Sequence, residues 1–431
     1  MTTPSSSQLT AQLKIEAMVL QGETYFQALE PYPFVSIGVP FAEACKHHAT
    51  ETFGASRIYI IVSKSISTTD NFATLRDALG KRVVGVRYGI RQHVPWPDVL
   101  EAARDLRDLD ADLIVTLGAG SLTDGAKVAA LAAANDAFTL EALESLRGQA
   151  EPKPCTVPTI NIPTTLSAGE YNPVGGATDL RNHRKAAFKH PSMVAHLVIL
   201  DPALTVSTPE LVWLSSGMRA VDHCVEGLCA PSFRPGEGGH IDKAKVEKHL
   251  IHGLAQLLPS LLATKQRPGD LEARRTAMGG ALDAMRGVLQ GVEVGASHGI
   301  GHQLGPLGVG HGETSCVMLP SVLRWNREHG DAWVAERQQK VLDAFWGDAA
   351  VADALKRHGL SEATATAGDA VGAFVEELGM PASLVSVGVG RDMLDKLAEN
   401  SMTDRNIKSN PVRITDAGQI KQILEMALGE P

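Results

Sequence analysis

The segment Asp112-Leu-Ile-Val-Thr-Leu117 runs without a break into Gly118-Ala-Gly-Ser121 and then into an alanine-rich helical stretch from Asp124 to Ala134. An apolar strand that turns through glycines into a helix seeds a strand–helix–strand unit. Such units build a parallel sheet with helices on both faces. The flanking sequence repeats the alternation. Arg57–Val62 and Lys81–Val86 read as strands, and Asp70–Leu79 and Trp96–Leu109 carry helical spacing. Thr156–Ile162 and His196–Leu200 read as further strands, and the Thr/Gly/Pro-rich stretch Pro163–Asp179 as a loop.

Past about Pro202 the strand patterns fade. Helical periods run to Pro431, broken by Gly/Pro clusters near 231–239, 305–312 and 380–391. The reading is an N-terminal tail and helix over 1–30, an α/β dinucleotide-binding domain over 31–203, and an all-helical substrate domain over 204–431. A chain of 431 residues is long enough for two cores.

Composition narrows the partners. The net charge is −9 with no long basic run, which argues against nucleic acid and acidic membrane surfaces. No apolar run approaches the roughly 18 residues that cross a bilayer. The polar start, Met1–Gln8, lacks the pattern of a secretory signal. Five cysteines without a Cys-x-x-Cys pair suit free thiols in a reducing, cytoplasmic setting.

Two constellations carry chemistry. At the Gly-x-Gly-Ser turn, glycines let backbone approach a phosphate, and the helix start supplies N–H groups and partial positive charge. Gly118, Gly120 and Ser121 are the expected phosphate contacts, with Asp124 capping the helix or meeting a ribose or substrate. Thr164 and Thr165, after a strand end, add hydroxyls where open sheets bind ligands. The second constellation is imidazole-rich. His298 and His302 share a helix face, His311 follows a Gly/Pro break that can fold it back toward them, and His223 lies upstream. Grouped histidines bind metal or move protons near neutral pH.

Gly217-Met-Arg219-Ala-Val-Asp222-His223-Cys-Val-Glu226 resembles the Gly-Met-Asp-Ala-x-x-His-x-x-Glu segment of iron-containing alcohol dehydrogenases. His298-x-x-x-His302, His311-Gly, Gly118-Ala-Gly-Ser-x-x-Asp124-x-Ala-Lys127 and Pro163-Thr-Thr-x-x-x-Gly-Glu170 resemble other motifs of that group, from about residue 34 onward. Ser216-Gly, His298-Gly-Ile-Gly-His-Gln-Leu-Gly305, His311-Gly-Glu-Thr314 and Asn410-Pro-Val-Arg413 are similar to the maleylacetate reductase branch. The resemblance implies an NADH- or NADPH-dependent oxidoreductase acting on a small carbonyl or carboxylate substrate, in a homodimer. Ser63, followed by Lys64, stands where the family carries an acidic residue that disfavours NADPH.

Position 219 departs from the pattern. The resemblance implies a divalent metal held by an aspartate there together with His223, His298 and His311. Arg219 is a permanent cation that offers no lone pair. The expectation is metal-free chemistry, with Arg219 polarising a carbonyl or pairing with a carboxylate and His302 delivering a proton beside His223 and His298. Two alternatives stay open: Arg219 turned away into a surface ion pair, and a metal-dependent alcohol dehydrogenase using His223, His298 and His311. Asp222, about 300° around the helix from Arg219, is expected on a neighbouring face. Related folds include dehydroquinate synthase, a lyase that recycles its NAD, so net consumption of NAD(P)H separates the classes.

Overall fold

The computed structural model describes residues 19–181 and 184–429. The chain divides into two compact units, Met1–Ser207 and Thr208–Pro431, a boundary slightly later than the sequence suggested.

Among its described residues the first unit has nine strands. They are β1 (Thr24–Gln27), β2 (Phe34–Ile37), β3 (Ile58–Val62), β4 (Val83–Tyr88), β5 (Leu113–Gly118), β6 (Thr159–Pro163), β7 (Val174–Asp179), β8 (Arg184–Lys189) and β9 (Leu197–Leu200). Seven form one sheet in the order β1-β2-β9-β6-β5-β3-β4, parallel except for the β1–β2 pair. Its helices are α1 (Phe41–His47), α2 (Asp70–Leu79), α3 (Trp96–Asp108), α4 (Gly120–Ala134), α5 (Leu140–Gly148) and α6 (Pro202–Thr205).

Alternate strand residues feed two cores, as the period-two pleat requires. Ile58, Ile60, Val62, Val115, Leu117, Ile162 and Ile199 pack with Phe41, Phe72 and Leu75. Tyr59, Ile61 and Ile114 pack on the other side with Val99, Ala103, Val128 and Ala129. The strands read as continuous apolar runs because both faces are covered.

Three expectations need correction. The helix after β5 begins at Gly120, not Asp124, because Ala119 is extended and serves as its N-cap. Asp124 therefore sits a turn inside the helix and does not cap it. The stretch Pro163–Asp179 is not all loop, since β7 pairs antiparallel with β8 in a separate hairpin. Its glycines misled the reading. A Cβ on Gly175 would lie 2.8 Å from Val128 Cγ2, so the strand needs glycine to lie against α4. The expected tail and helix over 1–30 falls mostly outside the described residues, and within its described part Thr24–Gln27 is strand.

The second unit is helical. Its helices are α7 (Glu210–Leu228), α8 (Lys243–Gln266), α9 (Leu271–Val288), α10 (Ala296–Leu304), α11 (His311–His329), α12 (Ala332–Trp346), α13 (Ala349–Arg357), α14 (Ala367–Glu377), α15 (Leu394–Ser401), α16 (Arg405–Lys408) and α17 (Ala417–Ala427). Asp242, Asp270, Asp331, Asp348, Asp404 and Asp416 each accept a backbone N–H at the start of the following helix. Such caps replace the hydrogen bonds that a first turn cannot make internally. Among the described residues no helix is long and apolar enough to cross a membrane.

Helices α7, α8 and α9 cross tightly at Gly253. A Cβ there would lie 2.8 Å from Cys224 Sγ on α7 and 3.2 Å from Gly280 O on α9. Gly253→Val should cost about 1–3 kcal/mol through overpacking. In a unit of this size that lowers Tm by roughly 2–4 °C per kcal/mol, measurable by thermal unfolding. An unchanged Tm would show that the crossing tolerates a side chain.

Candidate active site

In the first unit the expected cofactor residues gather at the C-terminal ends of β3, β5 and β6. Gly118 has φ of 148°, and a Cβ there would lie 2.7 Å from Leu122 Cδ1 and 3.1 Å from Ser63 Cβ. Only glycine suits that conformation at so close an approach. Thr164 N–H donates to Gly118 O at 3.0 Å, which sets the hydroxyl loop beside the phosphate turn. Thr165 Oγ1 and Ser167 Oγ are 3.1 Å apart. Gly120 and Ser121 open α4, whose first amides lack intrahelical partners and so offer themselves to an anion. Asp124 Oδ2 accepts from Gly176 N–H at 3.1 Å, so it anchors β7.

The residue that holds this arrangement together is Lys127, which had only been noted as part of a motif. Its buried ammonium donates to Gly169 O, to Val174 O at 2.9 Å and to Asn172 Oδ1 at 3.3 Å. It thereby ties α4 to the loop between β6 and β7. Burial pushes the neighbouring Glu170 carboxyl up to about 7.

In the second unit, α7 presents Arg219, Asp222, His223 and Glu226. Arg219 is 3% exposed, so it does not turn out to a surface ion pair. Its Nη1 donates to Ser315 Oγ at 3.0 Å and lies 3.7 Å from Asp222 Oδ2. Asp222, on the neighbouring face of the helix, therefore shares Arg219's surroundings. Its Oδ2 also accepts from Ser297 Oγ at 2.9 Å and Ser315 Oγ at 2.6 Å. Glu226 accepts the backbone N–H groups of Gly295 and Ser297, each at 2.7 Å, which caps α10. It also pairs with His298 Nδ1 at 2.7 Å.

The four histidines form two pairs. The rings of His223 and His298 are 4.8 Å apart, and those of His302 and His311 lie parallel at 6.5 Å. Gly312 lets α11 begin directly against α7, since a Cβ there would collide with Ser215 O. His302 Nδ1 meets Asp404 Oδ2 at 2.8 Å. Asp404 lies 102 residues away in sequence and had not been singled out. It opens a short helix, where an aspartate is an ordinary N-cap.

Electrostatics fixes the state of the buried pair. Burial, reinforced by Arg219, pushes His223 down to about 3 and His298 well below its ordinary value, so both rings are neutral. Burial raises Asp222, and burial together with the Asp222 charge raises Glu226. Among the described residues, one group of metal-capable donors converges, Asp222, Glu226 and His298, within 4.8 Å. His223 and His311 are not in it. Its carboxylates already hold Ser297, Ser315, the α10 amides and the Arg219 cation.

Arg219→Met would leave two buried carboxylates without their cation, at a cost of about 3–5 kcal/mol near neutral pH and above. A carboxyl raised by folding keeps a proton that the unfolded chain has lost, so stability falls as pH climbs out of the ordinary carboxylate range. The deficit of the variant against wild type should therefore narrow as pH drops from about 8 toward that range. Urea unfolding across pH reads it, and a pH-independent gap would contradict the account.

Residues 41–202 match the family model described as iron-containing alcohol dehydrogenase. Residues 213–428 match the model of the C-terminal part of the Fe-containing alcohol dehydrogenase family. Dehydrogenase FUM7 of Gibberella moniliformis is 43% identical over 410 residues, covering 92% of this chain and 96% of the relative. Dehydrogenase ALT3 of Alternaria alternata is 46% identical over 373 residues, covering 84% and 97%. The crystal structure of maleylacetate reductase from Agrobacterium tumefaciens aligns with a TM-score of 0.69 at 25% identity, covering 95% of this chain and 99% of that one.

Proposed function

The chain belongs to the iron-containing alcohol dehydrogenase family, and from that premise we propose that it reduces a carbonyl or conjugated enoate in the manner of a maleylacetate reductase, without a metal. It is an NAD(P)-dependent oxidoreductase. The observation that carries the proposal is the buried guanidinium of Arg219. The residues implied as ligands do not fit a divalent cation as a set. One position is a fixed cation, and its charge falls on both His223 and His298.

On this reading Arg219 directs N–H donors at the substrate oxygen and stabilises the negative charge that develops there. When bound at the Gly118–Ser121 turn, the nicotinamide cofactor supplies the hydride. His223 and His298, neutral and buried, orient the substrate. His302, 29% exposed, hands over the proton. Ser63 and Lys64 carry no negative charge against a ribose phosphate, which supports use of NADPH alongside NADH. A homodimer in the cytoplasm completes the reading, and light scattering on the purified protein tests the assembly.

One observation favours the metal-dependent alternative. His298 places Nδ1 on Glu226, while among the described residues its Nε2 and the Nδ1 of His223 have no hydrogen-bond partner, and metal-bound imidazoles are commonly held by such a carboxylate. The same experiment decides between the two. Protein purified without added metal should contain substoichiometric metal and oxidise NAD(P)H with maleylacetate in the presence of a chelator. Arg219→Met should lower kcat/KM by about 10²–10³ while NADH still binds. One metal per chain with chelator-sensitive turnover would establish the alternative with His223, His298 and His311.

A further inference from the structure

We propose that Asp404 is the positioning residue for His302: it accepts the hydrogen of Nδ1, fixes the ring, and leaves Nε2 as the nitrogen that exchanges a proton with the substrate. This deepens the reductase reading and rests on it for the identity of the substrate.

The carboxylate is held at both oxygens. Oδ2 meets His302 Nδ1 at 2.8 Å, and Oδ1 accepts the Asn406 N–H at 2.9 Å at the start of α16. The side chain of Asp404 is 14% exposed and that of His302 is 29% exposed, so the ring keeps an open side. The ring of His311 lies parallel to it, with centroids 6.5 Å apart. Although burial opposes it, the hydrogen bond and charge of His302 hold Asp404 below the usual carboxylate range. An ionised carboxylate only accepts hydrogen bonds, so the hydrogen between the two groups belongs to Nδ1. In the reaction the carbonyl carbon takes the hydride and its π pair moves to oxygen. That oxygen takes the Nε2 proton, and the imidazolium becomes the neutral Nδ1–H ring. Water then returns the proton, leaving alcohol and oxidised cofactor.

A merely structural role is available, because Asp404 also caps α16. Asp, Asn and Ser are nearly equivalent caps, so Asp404→Asn and Asp404→Ser keep the cap and remove the charge facing His302. In the full-length enzyme with NADH and maleylacetate, both variants should lose about 10²–10⁴ in kcat. KM and the NADH Kd should change by less than about threefold, the split expected when a transition-state interaction is lost. Nitrogen-15 NMR of histidine-labelled protein should show hydrogen on His302 Nδ1, assigned by its absence in His302→Gln and lost in Asp404→Asn. Wild-type kcat in both variants, or hydrogen on Nε2 alone in the wild type, would overturn the proposal. If the wild type consumes no NAD(P)H with maleylacetate, the reductase reading fails for that substrate. The NMR comparison then decides the role of Asp404 unaided.

Discussion

A guanidinium buried among carboxylates organises the second unit. A charge taken out of water costs several kcal/mol, recovered only if partners meet it in good geometry. Arg219 finds them on three helices, with Asp222 on its own helix α7, Ser315 on α11, and Ser297 on α10 through Asp222. The packing of α7, α10 and α11 is thus tied to one cation. Burial chiefly, and that cation in addition, suppress protonation of His223 and His298.

The first unit repeats the principle with a different ion. The ammonium of Lys127 is satisfied mainly by backbone carbonyls, and this lashes the loop after β6 to the helix after β5. A phosphate turn and a hydroxyl loop drawn from distant sequence thereby become neighbours. In both units a buried cation positions polar groups that the apolar core alone would not place.

How much of this was legible follows from range. The strands and helices from Arg57 to Ala134 announce themselves because their apolar periods are local, and the Gly118 turn is local too. The β7–β8 hairpin was missed because its glycines answer to Val128 on α4, a tertiary contact that composition disguises as a loop. The departure at Arg219 was readable, but its burial was not. Asp222 was placed on a face neighbouring that of Arg219, and side chains at i and i+3 reach one another readily, so the helical wheel left room for the contact without showing it. Asp404 left no functional signal at all, for its partner is 102 residues distant and its local pattern is that of an ordinary cap.

The charge balance links Arg219 to His302. A divalent cation with one carboxylate and three neutral imidazoles would carry one net positive charge toward the substrate. Glu226 has a counterpart in the family motif and cancels from the comparison, so Arg219 beside Asp222 carries no net charge when Asp222 is ionised and one positive charge when it keeps its proton. Hydrogen bonds from the guanidinium still polarise a carbonyl, but a full oxyanion would face carboxylates no more than a few ångströms behind the cation. When Asp222 is ionised, the proposed mechanism brings the missing positive charge in with a proton, from the partly open imidazole that Asp404 holds. On the proposed metal-free reading, arginine in place of a metal shifts weight from Lewis-acid polarisation to general-acid catalysis. On that view, the hydrogen bond of His302 matters more here than it would beside a metal.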